Sequence, residues 1–161
     1  MSAETMTGGC QCGAVRFAVA APLGTASICH CRMCQKAVGG FYAPYVSTRP
    51  GTLSFTRGAP AHFQSSSHAR RGFCEKCGTP LTFEAPDGIG VAIGAFDEPA
   101  AIMPTLQYGL ESKIAYVDIL GHLPGTETGA DPDAPFEADI VSYQHPDHDT
   151  ETWPPERAER S

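Results

Sequence analysis

The chain has 161 residues, enough for one domain around one core, and its 42% hydrophobic and 18% charged residues lie far from the composition of a disordered chain. The formal charge of −7 sits at one end: residues 1–123 hold 9 Lys and Arg against 8 Asp and Glu, and residues 124–161 hold 2 against 10. A near-neutral body without a basic stripe lacks the footprint of a nucleic-acid binder, and no apolar run approaches the roughly 18 residues of a membrane span.

The first nine residues lack the basic-then-apolar order of an export leader, so the expectation is a soluble chain in the cytoplasm. The first feature along the chain is Cys10-Gln11-Cys12-Gly13, followed by an apolar segment at 14–19 that reads as a strand. Cys29-His30-Cys31-Arg32-Met33-Cys34 comes next. A short helix is predicted at Arg32–Val38, where Arg32, Met33 and Lys36 favour helix and Gly39-Gly40 ends it.

Further strands are predicted at 41–47, 53–56, 61–64, 69–73, 80–83, 90–95, 105–108 and 115–119. They are short runs rich in Val, Ile, Phe and Tyr, separated by turn formers such as Arg49-Pro50-Gly51, Arg57-Gly58 and Pro86-Asp87-Gly88. The third cysteine cluster, Cys74-Glu75-Lys76-Cys77-Gly78, falls between two of them. The predicted class is therefore mainly β, a single domain over about 8–123 with one short helix. Residues 124–161 form an acidic, Pro-rich tail, partly flexible or packed on the domain, with Phe136, Ile140, Val141, Tyr143 and Trp153 arguing for packing. His145 and His148 in that tail read as an adventitious surface pair.

Seven cysteines in three compact clusters call for a metal. Without an export signal the chain lives among reducing thiols, and an odd count would strand one cysteine of a disulfide set. Isolated buried thiols would not recur at one- and two-residue spacings. Tetrahedral zinc needs thiolates delivered by tight turns, and Gly13 and Gly78 allow the positive φ that aims backbone N–H groups at sulfur. Seven ligands divide into a filled set of four and a set of three that leaves one position open, the arrangement of catalytic zinc. Counting leaves the pairing undecided, because Cys10 and Cys12 could share a metal with either of the other clusters.

Three long motifs resemble the glutathione-dependent formaldehyde-activating enzyme family, also called the GFA or centromere protein V domain family. They are Gly8-Gly9-Cys10-Gln11-Cys12-Gly13-Ala14-Val15-Arg16-Phe17, Cys29-His30-Cys31-Arg32-Met33-Cys34-Gln35-Lys36 and Arg71-Gly72-Phe73-Cys74-Glu75-Lys76-Cys77-Gly78-Thr79-Pro80-Leu81. The segment Glu111-Ser112-Lys113-Ile114-Ala115-Tyr116-Val117-Asp118 looks like the family's Glu-x-Lys and aromatic run. The resemblance implies an Mss4-like fold of curved antiparallel sheets with zinc knuckles. It implies two Zn²⁺ ions per chain: a structural one on Cys10, Cys12, Cys74 and Cys77, and a second, catalytic one on Cys29, Cys31 and Cys34. Three thiolates already give that second ion a net negative charge, which makes a labile metal the expectation there. The implied activity is that of a carbon–sulfur lyase joining formaldehyde to glutathione as S-hydroxymethylglutathione, or a related thiol–aldehyde reaction.

A glutathione site should offer cations to two carboxylates, so Arg32, Lys36 and His30 beside the second cluster are the candidate substrate contacts. Arg71 is a further cation with a structural alternative, and Phe41, Tyr42 and Tyr45 are candidate pocket walls or core. Two other classes share the same residues: a non-enzymatic, zinc-stabilised binding module, and a thiolate-based redox or metal sensor.

Overall fold

The computed structural model describes residues 4–154. The chain runs β1 (Thr5–Gly9), β2 (Arg16–Ala20), β3 (Ala26–Cys29), α1 (Arg32–Val38), β4 (Ala43–Ser47), β5 (Leu53–Arg57), β6 (Ala61–Gln64), β7 (Arg70–Phe73), β8 (Pro80–Ala85), β9 (Gly88–Ala92) and β10 (Leu106–Tyr108). Short 3₁₀ turns fill much of the rest, at Ile93–Ala95, Pro99–Ala101, Leu110–Ser112, Ala115–His122 and Pro135–Asp139.

Two sheets result. A three-stranded sheet has the order β1-β2-β5, and a seven-stranded sheet has the order β10-β3-β4-β9-β8-β7-β6. All pairings are antiparallel except β10 on β3, which is parallel. The mainly β class and the single helix thus stand as the sequence predicts, with one parallel edge added. Both sheets supply the core: Phe17 and Val19 from β2, Val46 from β4, Leu81 from β8 and Val91 from β9 are all at most 1% exposed. Burying each such side chain contributes about 1.5–3 kcal/mol. Phe96 closes the core edge-on to Phe17, centroids 5.1 Å apart.

Helix α1 has the bounds expected of it. Cys31 is its N-cap, its sulfur accepting the Cys34 backbone N–H, and Gly39 ends it in the left-handed conformation at φ 65°. Two strands escaped the sequence reading. In β1, Thr-Met-Thr-Gly-Gly lacks an apolar alternation; its glycines are needed because a Cβ on Gly8 would sit 2.4 Å from the Phe17 ring. In β3, Ala-Ser-Ile-Cys is too short and polar to signal a strand, and pairing on both sides makes it one.

The predicted strand at 115–119 is a 3₁₀ helix, Ala115–His122. Among the described residues no strand pairs with it, and its amides turn to local acceptors, as in Val117 N–H to Ile114 O and Leu123 N–H to Leu120 O. The stretch predicted at 90–95 likewise stops as a strand at Ala92 and tightens into the 3₁₀ turn Ile93–Ala95. Among the described residues no helix is long and apolar enough to cross a membrane.

Candidate metal centres

Two knuckles face one another to build the first centre. In the first, Gly13 N–H closes on Cys10 O at 2.9 Å; in the second, Gly78 N–H closes on Cys74 O at 2.8 Å. Both glycines stand at φ 78°, which residues with a Cβ adopt only at a cost. A cross-link holds the knuckles in register, the Gln11 N–H donating to Thr79 Oγ1 at 3.0 Å. Cys10, Cys12, Cys74 and Cys77 then gather their sulfurs within 4.8 Å of one another.

This geometry fits a metal ion. The Cys10–Cys12 and Cys12–Cys74 sulfur separations are 3.6 and 3.8 Å, against an edge of about 3.8 Å for a tetrahedron with 2.3 Å metal–sulfur bonds. The Val15 N–H points at Cys10 Sγ at 3.3 Å, as expected of a sulfur that carries charge. All seven cysteines are free of disulfides. As free thiols the four are not equivalent. Burial pushes Cys10 up to about 12. Burial also opposes the Cys77 thiolate, but hydrogen bonds from Thr79 and the Cys12 backbone outweigh it and bring Cys77 to about 6. A cation is what would let all four be thiolates together.

The acidic tail covers this centre. His145 N–H donates to Gln11 O at 2.7 Å, and Trp153 Nε1 donates to Cys12 O at 2.6 Å. Lys76 lies over the Trp153 ring. Arg57 donates to Gly13 O and to the Thr150 carbonyl. Arg16, 3% exposed, forks onto Asp97 at 2.8 and 2.6 Å and reaches Asp149 through Nε at 2.9 Å. His145 is buried rather than a surface residue, and its Nε2 meets Thr150 Oγ1 at 2.9 Å. Phe136, Ile140, Val141 and Tyr143 remain exposed.

The second centre lies where β3 runs into α1. Cys29 ends the strand, Cys31 caps the helix and Cys34 sits in its first turn, so one short segment brings three sulfurs within 4.8 Å. The donor set again suits a soft cation, with one position left for another ligand. Burial pushes the free Cys29 thiol up to about 12, the neighbouring thiols adding to it. Cys31 is also opposed by burial, yet the Cys34 and Met33 N–H groups and the adjacent thiols bring it below its usual value.

Arg71 belongs to this centre. It is 7% exposed and donates to Cys34 Sγ at 3.3 Å, Tyr45 Oη at 3.3 Å and Ser65 Oγ at 2.9 Å, with its guanidinium 4.9 Å above the Phe83 ring. Alternation on β7 turns it inward while Arg70 turns out to Glu84. Gln35 locks the helix from behind, donating to His30 O at 2.7 Å and Ser112 O at 3.0 Å. Neither Gln35 nor the role of Gly109 is visible in residue type. Gly109, at φ 67°, passes so close that a Cβ on it would lie 2.6 Å from the Cys31 nitrogen.

A cleft of about 350 Å³ opens on Cys29 and Cys34, walled by Tyr45, Phe83 and Tyr108. The three candidate substrate contacts fall elsewhere. His30 is fully buried, its Nε2 3.0 Å from Gln107 Oε1 and its ring edge-on to Tyr42, so it offers a ligand no exposed surface. Arg32 is exposed and donates to Gln35 Oε1, and Lys36 is exposed on the same helix; neither lines the cleft. Of the candidate wall residues, Tyr45 lines it, while Phe41 packs on Tyr116. Tyr108, Phe83 and Arg71 come from separate strands and converge only in the folded sheet.

A crystal structure of a Rhodobacter sphaeroides protein matches this fold with a TM-score of 0.52 at 24% sequence identity, over 63% of this chain and 99% of that one. The family model described as glutathione-dependent formaldehyde-activating enzyme matches residues 5–111, a span that takes in all seven cysteines and both centres. The chain is therefore a member of the glutathione-dependent formaldehyde-activating enzyme family.

Proposed function

We propose that this protein is a zinc-dependent carbon–sulfur lyase that interconverts a thiol and an aldehyde with their hydroxyalkyl thioether adduct. The family's pair is glutathione and formaldehyde, and a related pair is the alternative. One observation carries the reading: of the three cysteines gathered at the second centre, Cys29 and Cys34 line a cleft of substrate size. In this reading Cys10, Cys12, Cys74 and Cys77 hold a structural zinc, and Cys29, Cys31 and Cys34 hold the second.

A bound zinc would supply the acidity that makes a substrate thiol a thiolate near neutral pH. The chain's own residues do the rest. Three thiolates around a divalent ion carry net negative charge, and the Arg71 guanidinium against Cys34 offsets one unit of it. In the forward direction the substrate sulfur adds to the carbonyl carbon, a carbon–sulfur bond forms, and the carbonyl π pair becomes an oxyanion that needs a proton. Tyr45 is the group suited to give it. Its oxygen already accepts from Arg71, so its own hydrogen is free to point into the cleft it lines. Burial raises the Tyr45 pKa, which keeps that proton on at neutral pH. The reverse reaction returns the proton and breaks the same bond.

Two-dimensional exchange NMR of formaldehyde, thiol and adduct tests this. The zinc-loaded protein accelerates exchange over buffer, and Tyr45→Phe slows it by about 10²-fold at unchanged zinc content. No acceleration by fully loaded protein sinks the lyase reading; unchanged exchange in Tyr45→Phe removes only the acid.

A further inference from the structure

The cleft over Cys29 and Cys34 has the wrong charge for the family's named thiol. Glutathione carries two carboxylates and one ammonium group, a net charge of −1, yet among the described residues no Lys or Arg lines this cleft to take the carboxylates; its lining has one charged side chain besides the cysteines, Asp87. Asp87 sits exposed in the turn between β8 and β9 and has no ion pair or hydrogen bond among the described residues, so its carboxylate is uncommitted. The nearest guanidinium, Arg71, is engaged on Cys34, Tyr45, Ser65 and the face of Phe83. Arg32 is turned to Gln35. Tyr45, Phe83 and Tyr108 line the same cleft as that carboxylate, and aromatic rings together with a carboxylate are the surroundings that hold an ammonium group.

We propose that the cleft selects a small aminothiol, a thiol bearing an ammonium group and no carboxylate, with Asp87 as the specificity-determining residue. The sulfur would lie toward Cys29 and Cys34 and the ammonium toward Asp87. This rests on the thiol-adduct reading of the same cleft. A thiol such as glutathione, whose two carboxylates outnumber its one ammonium, brings net negative charge between the anionic cysteines and Asp87 with no cation in the lining to take it, and like charges brought together disfavour it.

Calorimetric titration of the zinc-loaded protein with cysteamine, 2-mercaptoethanol and glutathione tests the inference. Cysteamine should bind about threefold tighter than 2-mercaptoethanol and about tenfold tighter than glutathione. Because the three thiols differ in intrinsic acidity, the Asp87→Asn variant provides the decisive comparison. It should weaken cysteamine about threefold, leave 2-mercaptoethanol unchanged and tighten glutathione. Asp87→Lys should make glutathione the preferred ligand. Glutathione binding tightest to the unmodified protein, cysteamine indifferent to Asp87→Asn, or no binding by any thiol would each overturn the proposal. Should the ranking hold while no thiol exchanges with formaldehyde, the lyase reading fails and the aminothiol site stands.

Discussion

At the level of single residues, the two buried arginines, Arg16 and Arg71, both have partners. Arg16 is held by Asp97, itself 10% exposed, on the core side and by Asp149 of the tail on the other. Burial works to raise the Asp97 pKa, but hydrogen bonds from Arg16 and Thr7 outweigh it and hold the carboxyl below its usual value. A depressed folded-state pKa means that this contribution to stability is fully present above the unfolded value of about 3.9 and is lost as pH falls through the folded one. Asp97→Asn leaves Arg16 with its exposed partner alone, and a loss of about 3–5 kcal/mol is expected from denaturant unfolding at neutral pH. The variant should also lose less stability than the parent between pH 5 and 3; equal acid sensitivity would show that Asp97 is not the titrating group.

At the level of elements, each metal centre is made by a turn and then locked by a distant segment. The second centre depends on the chain passing Cys31 at Gly109, just beyond β10, where both the positive φ and the close approach exclude a side chain. Gly109→Ala therefore has to displace either β10 or Cys31. It should lower the affinity of the second centre by at least about tenfold, the scale of lost support around a metal, while the first centre keeps its metal. Competition with a chromophoric chelator resolves the two. Equal weakening of both would mean that Gly109 acts through global stability. The 3₁₀ helix Ala115–His122 is instructive in the same way. Its composition favours a strand, yet a strand exists only beside another, and among the described residues none pairs with it.

At the level of the whole molecule, the first centre joins the β1–β2 turn to the β7–β8 turn, and so couples the three-stranded sheet to the seven-stranded one. Closing a loop that long makes metal binding part of folding. Elemental analysis should find two zinc ions per chain. Excess chelator should remove the second first with the fold retained, and removal of the first should unfold the chain, as read by circular dichroism. One zinc per chain in protein prepared with excess zinc would refute the two-zinc reading.

Much of this was legible beforehand because it is local. Cys-x-Cys, Cys-x-x-Cys and the following glycines specify their turns through nearest-neighbour geometry, and α1 is bounded by residues that cap and stop it. Counting alone divides seven cysteines into four and three, but which cysteines belong to which set was not local. It followed from the motifs' family resemblance, and the folded sheets bring those same two groups together. Strands β1 and β3 carry too little side-chain signal to be read alone, and pairing creates them. The cleft lay furthest out of reach. Arg32, Lys36 and His30 stand next to the second cluster in sequence, but the helix turns the first two outward and the core buries the third. Tyr45, Phe83, Asp87 and Tyr108, distant in sequence, are drawn to the cysteines by strand register. Sequence sufficed for metal chemistry because ligand spacing is a property of a few bonded neighbours. The charge and shape of the site waited on tertiary structure, because they are sums over strands that meet only when the sheets assemble.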